Sequence, residues 1–289
     1  MNKQSVLSSL RLYAWAALAL VAWQWLPDRY MGAYNAWNPH AIMEFVITIF
    51  TISLVGKLAV HWLGAHYGLL LTGLMGGFAS STATIHAMGT VASTQPQLSD
   101  RAALGGVLSN IATLLQLMVL LQLLAPQVLL LLIQSMCCGM LGMCAYVVWV
   151  LVRAQPVVLK QVASRDLAVL DWQSLLTLTA VVCGVSYASA ALNALYGQHG
   201  LWLGAALSGL VDAHAIVPTV ASLLAQDQLL PQAALMPLLM ALSTNTLTKS
   251  LIAWQSGGWT YARKVSGGVW LTTVAVWLGY AAERVGLSL

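Results

Sequence analysis

Charge is what this sequence has least of. Only 7% of its 289 residues are Asp, Glu, Lys or Arg, against roughly 25% in a soluble domain. None of them occurs between Ala102 and Val152. With 60% hydrophobic residues and a mean hydropathy of +0.80, this scarcity excludes a soluble globular enzyme, a disordered chain and a nucleic-acid binder. A core of this size cannot hide so much apolar surface from water, so the surplus faces lipid. Short segments of alternating polarity are missing too, which excludes a transmembrane β-barrel. The four cysteines, Cys137, Cys138, Cys144 and Cys183, form no CxxC pair and read as small packing residues. No GxxxxGK[ST] phosphate loop is present, so the chain does not encode nucleotide-driven pumping. No cofactor is expected. The first apolar run, 10–26, lacks a small-residue cleavage site and reads as a retained helix with a cytoplasmic N-terminus.

What is present is a series of apolar runs: 10–26, 41–60, 68–93, 102–125, 127–152, 172–195, 200–225, 231–254 and 266–283. Pro126 sits where a tight turn would separate two spans. The fold class is all-α, a polytopic transmembrane helical bundle forming one integral membrane domain over 1–289. An N-terminal helix and loop (1–40) precede a first repeat (41–152), a basic cytoplasmic linker (153–171) and a second repeat (172–289).

The repeats rest on two signatures. Gly68, Gly77 and Ser80 fall on Gly200, Gly209 and Asp212, and one helix later Leu108-Ser109-Asn110 falls near Ser243-Thr244-Asn245. Basic residues then decide the orientation. If all nine runs span, five cations lie on one side and six on the other, against the positive-inside rule. If 68–93 and 200–225 return to the side they came from, nine lie inside: Lys3, Arg11, Lys57, Arg101, Arg153, Lys160, Arg165, Arg263 and Lys264. Only Arg29 and Arg284 lie outside. Each half then has an odd number of full spans. The repeats are therefore expected to be inverted, with a broken or re-entrant helix in each. Such irregular backbone belongs where repeats meet around a binding site.

The candidate site residues follow. Asp212 is a carboxylate deep in an apolar run, placed there at a cost of about 3 kcal/mol. His214 shares its cavity only if the backbone between them is unwound, because i, i+2 side chains diverge on a helix. Ser80, Ser81 and Thr82 offer oxygens that replace an ion's hydration shell. Asn110 and Asn245 supply amides that donate and accept. Lys249 shares a helical face with Asn245, and would pair with Asp212, stand in for a coupling cation, or snorkel to the interface. Glu44 and Lys57 read as interfacial. Asp212 and His214 would be the metal ligands if a metal binds.

Three ordered stretches carry a family likeness: Leu-Leu-Leu-Thr-Gly-Leu-Met-Gly-Gly-Phe-Ala-Ser-Ser-Thr-Ala-Thr (69–84), Leu-Ser-Gly-Leu-Val-Asp-Ala-His-Ala (207–215) and Thr-Asn-Thr-Leu-Thr-Lys (244–249). Together with Leu26-Pro27-Asp28-Arg29 and Asn38-Pro39, they resemble the membrane domain of unknown function found C-terminal in many MgtC/SapB-type proteins. The MgtC-like portion is not in this sequence, so its activities are not carried over. Where relatives carry Asp-x-Asp, this chain has Asp212-Ala213-His214, which leaves one carboxylate of a two-carboxylate metal site. The resemblance implies magnesium or metal homeostasis.

The expectation is a bacterial inner-membrane secondary transporter, of a divalent cation such as Mg²⁺ or coupled to protons. Its partners are membrane lipid and a small ion or polar solute, with no nucleic acid, and a homo-oligomer is compatible with the sequence. The alternative is a non-catalytic regulatory or scaffolding subunit. An intramembrane hydrolase lacks a second deep carboxylate and an evident serine–histidine pair.

Overall fold

The computed structural model describes residues 21, 23–153 and 172–286. Most of the run 10–26 and of the linker 153–171 lies outside the described residues. Helices dominate: α1 (Pro39–Thr94), α2 (Ser99–Leu124), α3 (Pro126–Arg153), α4 (Trp172–Val211), α5 (Val217–Ala225) and α6 (Leu235–Arg284). Among the described residues the β-structure amounts to one isolated bridge, Met31 to Trp37. Among the described residues, six helices are long and apolar enough to cross a membrane: Pro39–Val60, Gly68–Thr94, Pro96–Leu124, Pro126–Arg153, Leu176–Val211 and Pro231–Arg284. This is a multi-pass membrane protein.

Local chemistry sets where the helices start and break. Asn38 caps α1, its Oδ1 accepting the N–H groups of His40 (3.0 Å) and Ala41 (3.2 Å), with Pro39 following in the first turn. Its Nδ2 donates to Asp28 Oδ1 at 2.8 Å, which gives Asn38-Pro39 and Asp28 a physical role. Inside the long helices, Gly68 (φ 76°), Gly197 (φ 59°) and Gly258 (φ 70°) leave helical geometry. A side chain would strain each left-handed turn. Ser80 breaks α1 differently, through extended backbone (φ −171°, ψ 112°). The pieces are α1a (39–67), α1b (69–79), α1c (81–94), α4a (172–196), α4b (198–211), α6a (235–257) and α6b (259–284).

Packing gives the direction of each piece. Gly73 lies against Gly105 and Gly77 against Ser109, so α1b runs parallel to α2. Ser109 Oγ donates to the Ser81 carbonyl at 3.4 Å, and a Cβ on Gly106 would lie 3.7 Å from Ile85 Cγ1. Thus α1c runs back along α2. A Cβ on Gly105 would be 2.6 Å from the Leu69 carbonyl oxygen and 3.3 Å from Met88 Sδ. A straight helix would separate those residues by about 28 Å. The chain therefore doubles back at Ser80, although Gly68–Thr94 is long enough to cross.

The second half behaves similarly. A Cβ on Gly204 would sit 2.9 Å from Ser189 Cα, so α4b turns back along α4a at Gly197. Gly209 packs on Ala241 and Thr244, and Thr248 Oγ1 donates to the Leu210 carbonyl at 3.0 Å. From there the chain must return three turns to reach Leu235. The non-helical stretch 212–216, α5 and the 3-10 turn Pro231–Ala234 make that return.

Helices α6a and α6b pair across Gly258 through Thr246–Thr273 (2.7 Å) and Trp277–Ser243 (3.0 Å). Lys249 meets Asn110 and Thr113 of α2, while Ser256 abuts Gly89 near the opposite end. So α6a is antiparallel to α2. Tyr146 bonds the Lys264 carbonyl and Gly279 abuts Ser135, making α6b antiparallel to α3. Centrally placed, α2 has 56% of its span window buried, against 22% for Leu176–Val211.

One expectation is corrected here. All four cysteines are free, and Cys137 and Cys144 are exposed rather than packed.

Candidate functional site

The Ser80 break and the 212–216 stretch converge on one cavity of about 180 Å³, lined among others by Ser80, Ser81, Thr82, Asp212, His214 and Asn245. Six of the eight sequence candidates therefore share one space. The two tips leave helical geometry where backbone groups are buried in protein or line the cavity, the only setting in which such breaks persist at membrane depth. Ser80 Oγ accepts the Ala83 N–H at 3.2 Å and caps α1c.

Asp212 and His214 come together because residues 212–216 are not helical. Asp212 Oδ1 accepts the His214 backbone N–H at 2.7 Å and lies 2.6 Å from His214 Nδ1. The other ring nitrogen, Nε2, faces the Thr113 carbonyl at 3.2 Å. Between them these two contacts hold the imidazole ring at the cavity wall. The Asp212 side chain stays 44% exposed, against 9% for His214, so Asp212 is the half of the pair open to the cavity.

Asn110 and Lys249 stand one residue back. Lys249 is 1% exposed, so it does not snorkel. Its Nζ donates to Asn110 Oδ1 at 2.6 Å and to Thr113 Oγ1 at 2.9 Å. Thr113 Oγ1 in turn donates to Ser81 Oγ at 2.9 Å. Thr113 thus joins three parts of the chain, taking Lys249 of α6a and His214 of the second tip and giving to Ser81 of the first. Among the described residues the ion pairs are His214–Asp212 and Lys264–Asp100. Pairing of Lys249 with Asp212 is one of three readings from sequence; its hydrogen bonds here go to Asn110 and Thr113 instead. His86 is exposed and stands apart from the cluster.

Sequence reasoning missed Thr113 and Gln116, whose Nε2 donates to the Phe78 carbonyl at 3.1 Å. Asn110, Thr113 and Gln116 recur every three residues on one face of a charge-free helix, the signal that would have found them. Gly77 packs on Ser109, and Gly209 packs on Ala241 and Thr244.

As for a metal, among the described residues no three His, Cys, Asp or Glu side chains gather to hold one. The Asp212–His214 pair, taken alone, offers one carboxylate with Oδ1 already engaged. No curated protein and no solved structure matches the chain. A family model does match, over residues 47–257, a stretch that takes in both tips, Thr113 and Lys249, and by that match the chain belongs to the family described as Domain of unknown function (DUF4010).

Proposed function

We propose that this protein is a proton-coupled secondary transporter of a bacterial inner membrane, in which Asp212 and His214 carry the proton. The observation that carries this reading is the 2.6 Å contact of His214 Nδ1 with Asp212 Oδ1, two groups that can exchange a proton, in a cavity where two breaks from opposite halves of the chain meet. The two halves act as inverted repeats. Supporting this, α2 and α6a occupy corresponding places and run antiparallel, as do α3 and α6b. The two hairpins reach the midplane from opposite faces, and access alternates as one half rocks against the other.

Charge supports an orientation. The face holding Asp100, Arg101, Arg153, Arg263 and Lys264 is cytoplasmic, and the face holding Asp28, Arg29 and Arg284 is external. Kinship with MgtC/SapB-type proteins would favour Mg²⁺. The donor set favours a proton, since Mg²⁺ asks for near-octahedral oxygen ligands and Asp212 Oδ1 is taken by His214.

Protein in liposomes with a lumenal pH dye tests the reading. An imposed pH gradient should collapse faster than in empty liposomes, and Asp212→Asn should remove most of that difference. Equal collapse in the variant would sink the assignment. No collapse in either, with a stoichiometric membrane partner recovered, would favour the regulatory subunit.

A further inference from the structure

We infer that the occupant of the central cavity is a short zwitterionic amino acid, with its ammonium on Asp212 and its carboxylate at the first turn of α1c. This names the substrate class of the proposed transporter and rests on that reading of the cavity as the transport site.

The two tips present opposite polarity to one space. The second tip brings Asp212, whose Oδ1 is engaged by His214. Its Oδ2 accepts no hydrogen bond among the described residues, and the side chain is 44% exposed. A carboxylate oxygen that faces a cavity without a donor suits an ammonium. The first tip brings the N-terminus of α1c. First-turn N–H groups have no partner within their own helix. Ser80 Oγ takes that of Ala83, which leaves those of Ser81 and Thr82, both in the cavity wall. Ser81 Oγ accepts from Thr113, so its own hydroxyl hydrogen is free as well. These donors and the helix dipole favour a carboxylate at that end.

A third group asks for a ligand independently. Asn245 lines the cavity from α6a and is only 4% exposed, yet its amide makes no hydrogen bond among the described residues. Buried amides have partners as a rule. An amide both donates and accepts, so it meets either end of a zwitterion.

Charge separates the kinds of occupant. An ionised Asp212 balances the buried Lys249 ammonium, which lies behind Thr113 and touches no occupant. An occupant of net charge, of either sign, would disturb that balance in a low-dielectric interior. A zwitterion brings both charges and no net charge. A volume near 180 Å³ admits glycine, alanine, β-alanine or serine and excludes drug-sized solutes, whose sites run from about 300 Å³ upward. Ile49 and Leu178 complete the wall with apolar surface, against which a short side chain packs.

The test is thermal unfolding of purified full-length protein in detergent, followed by tryptophan fluorescence. Glycine, alanine, β-alanine and serine at millimolar concentration are compared with methylammonium chloride and sodium propionate, which keep one charged end each. At least one amino acid should raise the melting temperature saturably, and neither single-ended salt should. Half-saturation should weaken by about thirtyfold or more in Asp212→Asn and by about tenfold in Asn245→Leu. Asn245→Leu removes no internal hydrogen bond, so without ligand it should melt close to the wild type. It therefore reports binding rather than folding, even if Asp212→Asn fails to fold.

No saturable response of the wild type to any of the four amino acids overturns the inference. So does an equal response to methylammonium or propionate, or an Asn245→Leu variant that binds like the wild type. In liposomes, proton movement unaffected by all four amino acids would keep the transport reading and overturn this one. An amino-acid-dependent melting shift without proton movement would do the reverse.

Discussion

Thr113→Val probes the centre of the site with little change of shape. It removes the hydroxyl and leaves the carbonyl that His214 uses. Two contacts disappear: an acceptor for the buried Lys249 ammonium at 2.9 Å and a donor to Ser81 Oγ, also at 2.9 Å. Polar contacts between membrane helices average about 0.6 kcal/mol and reach about 1.7 kcal/mol. With the charge-assisted contact at the upper end and the hydroxyl pair at the mean, the loss is about 2 kcal/mol. At roughly 2–4 °C per kcal/mol, the melting temperature should fall by about 4–8 °C. The assay is thermal unfolding of the detergent-solubilised protein. A double-mutant cycle with Lys249→Met isolates the shared term, which should be about 1–2 kcal/mol. Effects that add to within about 0.5 kcal/mol would mean Lys249 does not depend on the Thr113 hydroxyl, and the relay would be wrong.

Two further outcomes test the architecture. Gly77→Val places a Cβ 2.6 Å from Ser109 Cα, which pushes the first hairpin off α2. Overpacking of this kind costs roughly 1–3 kcal/mol and should appear as a lower melting temperature, so an unchanged value would contradict the close approach. In a background without native cysteines, Gln97→Cys and Arg263→Cys should react with an impermeant thiol reagent from one side of the membrane. Gln198→Cys and Gln228→Cys should react from the other, and a split within either pair would mean that segment 200–225 spans.

The hairpins were legible in the sequence because few charges remain in the loops, so each one constrains the side its loop occupies. The glycines were legible for a related reason: a helix that must approach another backbone, as Gly77 does Ser109, tolerates no side chain there. Asp212 stood out because a carboxylate in an apolar run needs an explanation. What stayed hidden depends on contacts across the chain. Thr113 is an unremarked hydroxyl in a charge-free run until His214, 101 residues away, comes to its carbonyl. Lys249 offered three readings because nothing local distinguishes an interfacial lysine from a buried one.

The doubling back at Ser80 also constrains biosynthesis. Segment 69–79 rises only about 16 Å, half of a hydrocarbon core about 30 Å thick, and its tip is a run of three hydroxyl residues. Such a tip has no stable place in lipid alone. Yet the ribosome makes it before α2, the helix that shelters it, and it makes the 212–216 tip before α6a. Each hairpin must therefore wait at the membrane surface or within the insertion machinery until its later-made shelter arrives. On the proposed topology, insertion would proceed by delayed capture, twice along one chain, rather than helix by helix in order of synthesis.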